Sequence, residues 1–353
     1  MKIAITADLH LKTNEEYPER FNALKNILEC LLKEDVENLI IAGDLFDIGS
    51  QNYSIFDDLC KEKKYSNIKF YIIGGNHDSN INSKYFTAAN IRIFNEPEPL
   101  IFNDSAYSFF FIPYLPGRSM GEIISRNRQF LKDPWILIGH GDYLSGIRDA
   151  NTYESGVYMP LGRPDLEFYN PAMVILGHIH KKMEIGRVCY PGSPCGMDIN
   201  ETGRRSFLLL DTSDLSITVK KVDSDFIFFS ETLIALPTAN EFDYIKNKIG
   251  DFIKGWDLSI GEIPCARIRL KVKGYTSDRK RLETVLKESL SAFTFYNDEG
   301  PDLSSVSIFN DPERINIVER AKKRVDALEE NQGYSQLRKD LIMEQALSII
   351  LRE

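Results

Sequence analysis

Apolar and polar positions alternate in two rhythms along this 353-residue chain. Short β-branched runs, IAIT (3–6), NLIIA (38–42) and IKFYIIG (68–74), predict strands. Between the first two, Phe21, Leu24, Leu28, Leu31 and Leu32 recur at helical spacing over 18–34. A second, shorter helix fits 53–62. This order predicts strands with helices packed on both faces. Further strands are predicted at 105–113, 135–140, 173–178, 187–192, 206–211 and 216–222, with a helix near 118–131. The later strands follow one another closely, so part of this region should be antiparallel. Two sheets packed face to face and covered by helices fit the pattern.

The rhythm changes near Leu236-Pro237. Beyond it the pattern predicts a helix (239–254), a strand (265–273), a helix (277–290) and a strand (292–297), a small α+β unit. Residues 312–353 read as helical. Ile315, Val318, Ala321, Val325 and Leu328 form one stripe; Leu341, Ile342, Ala346, Ile349 and Ile350 form another. Gly333 sits between them, as a helix–helix turn would. The predicted domains are therefore 1–235, 236–310 and 311–353.

Composition adds exclusions. Hydrophobic residues make up 43% and charged residues 27%, ordinary for a globular protein. No apolar run approaches the roughly 20 residues of a spanning helix. The apolar stretch before Asp8 is too short for a signal-peptide core, so a cytoplasmic location and no membrane partner are expected. Cys30, Cys60, Cys189, Cys195 and Cys265 form no CxxC pair and read as reduced, mostly buried thiols. The net charge of −9 argues at first against a nucleic-acid partner. Yet residues 267–287 hold eight basic and two acidic side chains, one concentrated basic patch.

The chemistry gathers at predicted strand ends. The chain has five histidines, His10, His77, His140, His178 and His180. They lie in ADLH (7–10), GNHD (75–78), GHGD (139–142) and GHIH (177–180); GDLFD (43–47) is a companion motif. Ends of strands are where open α/β sheets place ligand sites. Asp8 and His10 are two residues apart, and in extended backbone such side chains share a side and can grip one cation. His178 and His180 repeat that spacing. Asp44, with two oxygens, can bridge two cations; Asn76 offers a carbonyl oxygen and His140 another nitrogen. This inventory suits two divalent metals sharing Asp44. Such pairs stabilise both attacking and leaving oxygens of an in-line displacement. His77 adjoins Asn76 and is read as the group that protonates a leaving alkoxide or stabilises the charged transition state. Asp78 would orient His77 or a ligand histidine.

At these residues the sequence resembles the calcineurin-type metallophosphoesterase superfamily, whose pattern is DxH, GDxxD, GNH[DE], a later GH, then GHxH. The resemblance implies a four-layer α-β-β-α sandwich, an α/β fold. It also implies that Asp8, His10, Asp44 and His180 hold one metal, that Asp44, Asn76, His140 and His178 hold the second, and that His77 is catalytic. Within the superfamily the chain is most similar to SbcD-type (Mre-type) DNA repair nuclease subunits. The DLHL opening, GDLFD, and CYPGSPCGMDINETGRRSFLLLD (189–211) carry that likeness, with a small α+β cap and a terminal helix pair after them. It departs at Lys12, where many members have Gly. GDLFDIGS also lacks the Arg of the protein phosphatase motif GDxxDRG, which argues against a phosphoprotein substrate.

The resemblance implies a Mn²⁺-dependent DNA exonuclease or endonuclease, homodimeric, acting in DNA end processing, repair and recombination. Its partners would be DNA and an SbcC-type ABC ATPase whose coiled coil receives the terminal helices. The basic strand supports a DNA partner. In ARIRLKVKG (266–274), Arg267, Arg269, Lys271 and Lys273 alternate with apolar residues, so four cations share one face. Arg279, Lys280 and Arg281 follow at the next helix start. Cations roughly 6.6–7 Å apart along a strand would track a phosphate backbone, with little sequence preference. Two alternatives stand beside this reading: a small-molecule or nucleotide phosphodiesterase on the same site, and a non-catalytic scaffold.

Overall fold

The computed structural model describes residues 1–13, 15–49, 53–145, 156–328 and 335–351. Gly333, the expected helix–helix turn, lies outside the described residues. The chain divides into two compact units, one of residues 1–197 and 204–225, the other of 198–203 and 226–353.

In the first unit, two six-stranded sheets form. One runs, edge to edge, Ile217–Lys221, Ser206–Asp211, Lys2–Thr6, Asn38–Ala42, Lys69–Ile73 and Ile91–Phe94. Its last four strands are parallel, and the two at the other edge are antiparallel, as the close spacing of the late strands predicts. The other sheet runs Met183–Ile185, Val188–Tyr190, Met173–Gly177, Trp135–His140, Ser108–Phe111 and Glu98–Ile101. Between the sheets, Ile3, Ile5, Ile40, Ile73 and Phe94 meet Phe109, Phe111, Ile136, Ile138 and Ile175 in one buried core. Phe94 stacks on Phe111 at 4.0 Å between ring centroids. Each such side chain contributes about 1.5–3 kcal/mol by leaving water. Helices Pro18–Lys33 and Tyr53–Lys61 cover one outer face. Helices Met120–Asn127 and Arg163–Tyr169 cover the other. The four-layer sandwich is thus the fold.

Helix Pro18–Lys33 begins with Pro at its first position and Glu19 in its first turn, both suited to a helix start. Phe21, Leu24, Ile27, Leu28 and Leu31 are buried, whereas Leu32, expected in the stripe, is 40% exposed. One residue past Leu31 rotates about 100° off the packed face.

The second unit departs more from expectation. Its sheet contains Ile227–Ala235, Ala266–Thr276, Thr294–Phe295 and Asp302–Ile308. Strand Ile227–Ala235 pairs in parallel with Ala266–Thr276 over nine residues. The boundary therefore falls at 225/226, not 235/236, because this strand's hydrogen bonds and apolar side chains belong to the second unit's core. The strand expected at 292–297 shrinks to two residues, and Asp302–Ile308, not foreseen, takes the pairing. Helices Glu241–Trp256 and Arg279–Ser289 pack on the apolar face.

Helices Pro312–Asp326 and Gln336–Ile350 are part of the same unit rather than a third domain. Val318, Met343, Leu347 and Leu351 bury themselves against Ile234 and Leu236. The buried row at the end of the chain is thus 343/347/351, with Ile350 of the expected stripe packed beside it, whereas Leu341 is 53% and Ile349 74% exposed. Spacing by four selects the row in contact, and Met343 and Leu347 complete that row. Among the described residues no helix is long and apolar enough to cross a membrane.

Candidate metal centre

Parallel pairing puts strand ends side by side. His140 is in register with Gly177 on the neighbouring strand, so His140 and His178 emerge together. In the facing sheet the loops after Thr6, Ala42 and Ile73 do the same. Backbone bonds tie them: Asp8 N–H donates to Gly43 O (3.1 Å) and His10 N–H to Asp44 O (2.9 Å).

The backbone here is not extended. Asp8 (φ 54°), His10 (φ 45°), Asp44 (φ 51°) and His178 (φ 99°) all have positive φ. The same-side argument from strand alternation therefore does not explain why Asp8 and His10 converge. Left-handed turns beyond the strand ends aim them instead. Such conformations cost about 1–3 kcal/mol each and cluster at functional sites. Two glycines make room. A Cβ on Gly43, at φ +92°, would lie 2.1 Å from His140 Nδ1. One on Gly75 would lie 2.1 Å from Asp44 Oδ1.

The seven expected ligand residues converge, Asp8, His10, Asp44, His140 and His178 being buried and Asn76 and His180 half-buried. His10 Nε2 faces His180 Nε2 at 3.1 Å. Asn76 Oδ1 faces His140 Nε2 at 2.8 Å and His178 Nδ1 at 3.1 Å. Asp44 divides its oxygens. Oδ1 accepts from His77 N–H (2.9 Å). Oδ2 lies 3.6 Å from His10 Nε2 and 3.4 Å from His140 Nε2. One oxygen, Oδ2, thus faces both imidazoles, while Oδ1 is held by the His77 backbone.

The donor set fits divalent cations. Asp8 Oδ1 accepts from His178 N–H (2.9 Å), while its Oδ2 is buried with no hydrogen-bond partner among the described residues. An orphaned carboxylate oxygen among imidazole nitrogens is the environment a cation satisfies. His140 Nδ1 donates to Ala42 O (2.9 Å), which turns Nε2 toward the cluster. Ligand atoms of Asp8, His10 and His180, and of Asp8, Asp44 and His140, each lie within 4.8 Å of one another.

Electrostatics mark the same point. Burial pushes the Asp8 carboxyl up, the nearby histidines only partly offsetting it. Burial would also raise Asp44, but His140, His10 and His77 hold it well below the usual carboxylate range. Burial would depress the His140 imidazole, yet Asp44 and Asp8 push it up to about 9. Binding a cation would displace the proton held there.

His77 stands beside this cluster, its ring 4.4 Å from that of His10, edge to face. Its ring partner is Asp47, not Asp78. Asp47 Oδ1 is 3.0 Å from His77 Nδ1. Asp78 instead accepts from the backbone N–H groups of Gly75 (2.7 Å) and Phe46 (3.1 Å), and burial pushes its carboxyl up to about 7. It joins two site loops through their backbone. Asp47 closes the GDLFD motif, and its spacing three after Asp44 was the signal for it.

Two arginines support the site as well. Arg20 donates to the His10 carbonyl and Arg205 to the His180 carbonyl, the latter at 3.0 Å. Tyr158 places its ring 4.7 Å from His178. No spacing along the chain signals these three.

The seven DNA-contact candidates do not form one patch. Arg267, Arg269, Lys271 and Lys273 do share the strand face opposite the core. Arg279, Lys280 and Arg281 begin a helix packed on the other face, because Leu282, Val285 and Leu286 bind it to the apolar side. Arg269 pairs with Glu299 (2.7 Å) and Lys273 with Glu344 (3.1 Å).

A sandwich of two sheets with a buried Asp/His/Asn cluster at converging strand ends is the architecture of a metal-dependent phosphoesterase. The chain belongs to the calcineurin-like phosphoesterase family, whose model matches residues 1–182. It is similar to the uncharacterized metallophosphoesterase YhaO of Bacillus subtilis, 26% identical over 219 residues, 56% of this chain and 51% of that protein. It is also similar to DNA double-strand break repair protein Mre11 of Saccharolobus solfataricus, 25% identical over 245 residues, 62% of each chain. The Mre11 protein of Nanoarchaeum equitans is 24% identical over 260 residues, 62% of this chain and 68% of that one. The chain thus spans about half to two-thirds of these relatives' lengths.

Proposed function

We propose that this chain is a Mn²⁺-dependent DNA nuclease subunit that cleaves phosphodiesters at a dinuclear centre. The observation that carries the phosphodiesterase part is the single Asp44 oxygen between His10 and His140, beside an orphaned Asp8 oxygen. Asp8, His10, Asp44 and His180 would hold one cation, and Asp44, Asn76, His140 and His178 the other. Bound there, two divalent cations would stabilise the attacking and leaving oxygens of a displacement at phosphorus. His77, oriented through Nδ1 by Asp47, would present Nε2 to the departing sugar oxygen.

The DNA part rests on the four-cation strand face and on likeness to proteins named for double-strand break repair. Backbone contacts of this kind carry little sequence preference. The terminal helices would meet the coiled coil of an SbcC-type ABC ATPase, and the chain would work as a homodimer. The pairing of Arg269 and Lys273 with glutamates favours the second reading, a small-molecule or nucleotide phosphodiesterase.

Assays of a linear duplex, a hairpin and bis-p-nitrophenyl phosphate with Mn²⁺, with and without a candidate ATPase, separate the two. His77→Ala should keep both metals by elemental analysis and lose about 10²–10⁴-fold of its turnover. Arg267→Glu with Lys271→Glu should weaken duplex cleavage and spare the small diester. A chain that cleaves only the small diester would overturn the DNA reading.

A further inference from the structure

Asp47 is met by five groups, one of them the candidate ligand histidine His10, whose Nδ1 lies 3.8 Å from Oδ1. His77 Nδ1 (3.0 Å) and the Ile48 backbone N–H (2.8 Å) meet Oδ1. Arg20 Nη1 and Lys12 Nζ, each at 3.2 Å, meet Oδ2. The two cations come from different elements, Lys12 from the loop after the first strand and Arg20 from helix Pro18–Lys33. They share a second partner. Lys12 Nζ lies 5.0 Å and the Arg20 guanidinium 4.5 Å from the centroid of the Tyr17 ring. Two like charges are thus brought together by one carboxylate and one aromatic face.

We propose that Lys12, together with Arg20, is a positioning residue for His77. The pair clamps Oδ2, which sets the Asp47 rotamer so that Oδ1 meets His77 Nδ1 and the imidazole turns Nε2 toward the substrate. Arg20 is buried and also holds the His10 carbonyl, so it is the fixed half of the clamp. Lys12, 31% exposed, is the more open half. An ammonium committed to Asp47, near the Tyr17 ring, acts through the carboxylate rather than on a substrate phosphate. The inference rests on His77 acting at the reaction centre.

The test uses the full chain with Mn²⁺ and bis-p-nitrophenyl phosphate. Lys12→Met should lower kcat about tenfold with KM changed less than about twofold, since supporting partners of a site typically give 10–100-fold effects. Lys12→Arg should restore kcat to within about threefold, because a guanidinium also reaches the carboxylate. In the metal-free chain labelled with ¹⁵N-histidine, the His77 Nδ1 signal, assigned by its loss in His77→Ala, should shift in Lys12→Met and return in Lys12→Arg. A raised KM with parental kcat would place Lys12 on the substrate and overturn the proposal. So would parental kinetics with an unmoved His77 signal. If His77→Ala itself turns over at the parental rate, the reading of His77 fails; if it is inactive while Lys12→Met is parental, only the clamp fails.

Discussion

Gly43→Ala isolates how closely the metal loops are packed. The new Cβ would sit 2.1 Å from His140 Nδ1 and 2.6 Å from its Cγ. Ordinary contact begins near 3.4 Å, so the ring must retreat by about 1 Å or the loop must move. Neither is easy, because Nδ1 is bound to Ala42 O at 2.9 Å on the same loop. Overpacking of this kind costs about 1–3 kcal/mol. The φ of +92° adds about 1–2 kcal/mol for any residue with a Cβ. The total, about 2–5 kcal/mol, is readable by urea denaturation. A displacement near 1 Å at a ligand should lower diester turnover about 100-fold. Gly49→Ala is the control. It has φ +73° but no atom of the described residues within 4 Å of the added Cβ, so it should lose about 1–2 kcal/mol and keep its rate. Parental turnover and Mn²⁺ affinity in Gly43→Ala would refute the packing argument, since no 1 Å movement of His140 could then matter.

Asp57 gives a pH test away from the metals. Its carboxylate accepts from Thr87 N–H, Thr87 Oγ1–H and Ala88 N–H, all at 2.8 Å, and pairs with Lys61 at 2.6 Å. Burial alone would raise this carboxyl, but the Lys61 ammonium and these donors bring it down to about 2. Because the folded value is the lower one, its stabilisation is complete above the ordinary carboxylate range and is lost as pH falls toward 2. Asp57→Ala should therefore lose about 2–4 kcal/mol at pH 7, and the gap from the parent should narrow as pH falls through the folded value of about 2 in urea melts. In the last helix, Leu347→Asp should cost about 3 kcal/mol or more by placing a charge in a packed cluster. Ile349→Asp, 74% exposed, should change stability by less than about 0.5 kcal/mol and, under the docking proposal, lose capture of a candidate SbcC-type ATPase in a pull-down. Intact capture would remove this helix from the docking proposal.

Much of the first unit was legible because its signals are local. A run such as NLIIA reads as a strand by its length and β-branched content, and it is one, five residues all buried. The five motifs could be read because each sets aspartate, asparagine or histidine where a predicted strand stops. Asp47 was within reach of that logic, since it closes GDLFD, but which of Asp47 and Asp78 meets His77 depends on how two loops fold across each other. The second unit was harder. Ile227–Ala235 lies beside the first unit in sequence and pairs with residues about 40 positions later. The basic run from 267 to 281 is continuous along the chain, but the strand and helix that carry it present opposite faces.

Residue order alone therefore pointed to most strands of the first unit, to two sheets packed face to face and to the seven candidate ligands, because alternation and turn chemistry act over a few neighbours. Tertiary structure decided the rest: that one oxygen of Asp44 faces both His10 and His140, that Asp47 holds His77, and that Met343 and Leu347 turn inward. These are distances between segments far apart in the chain. They are set by left-handed turns, close glycine contacts and which helix row meets the sheet, and no local pattern encodes them.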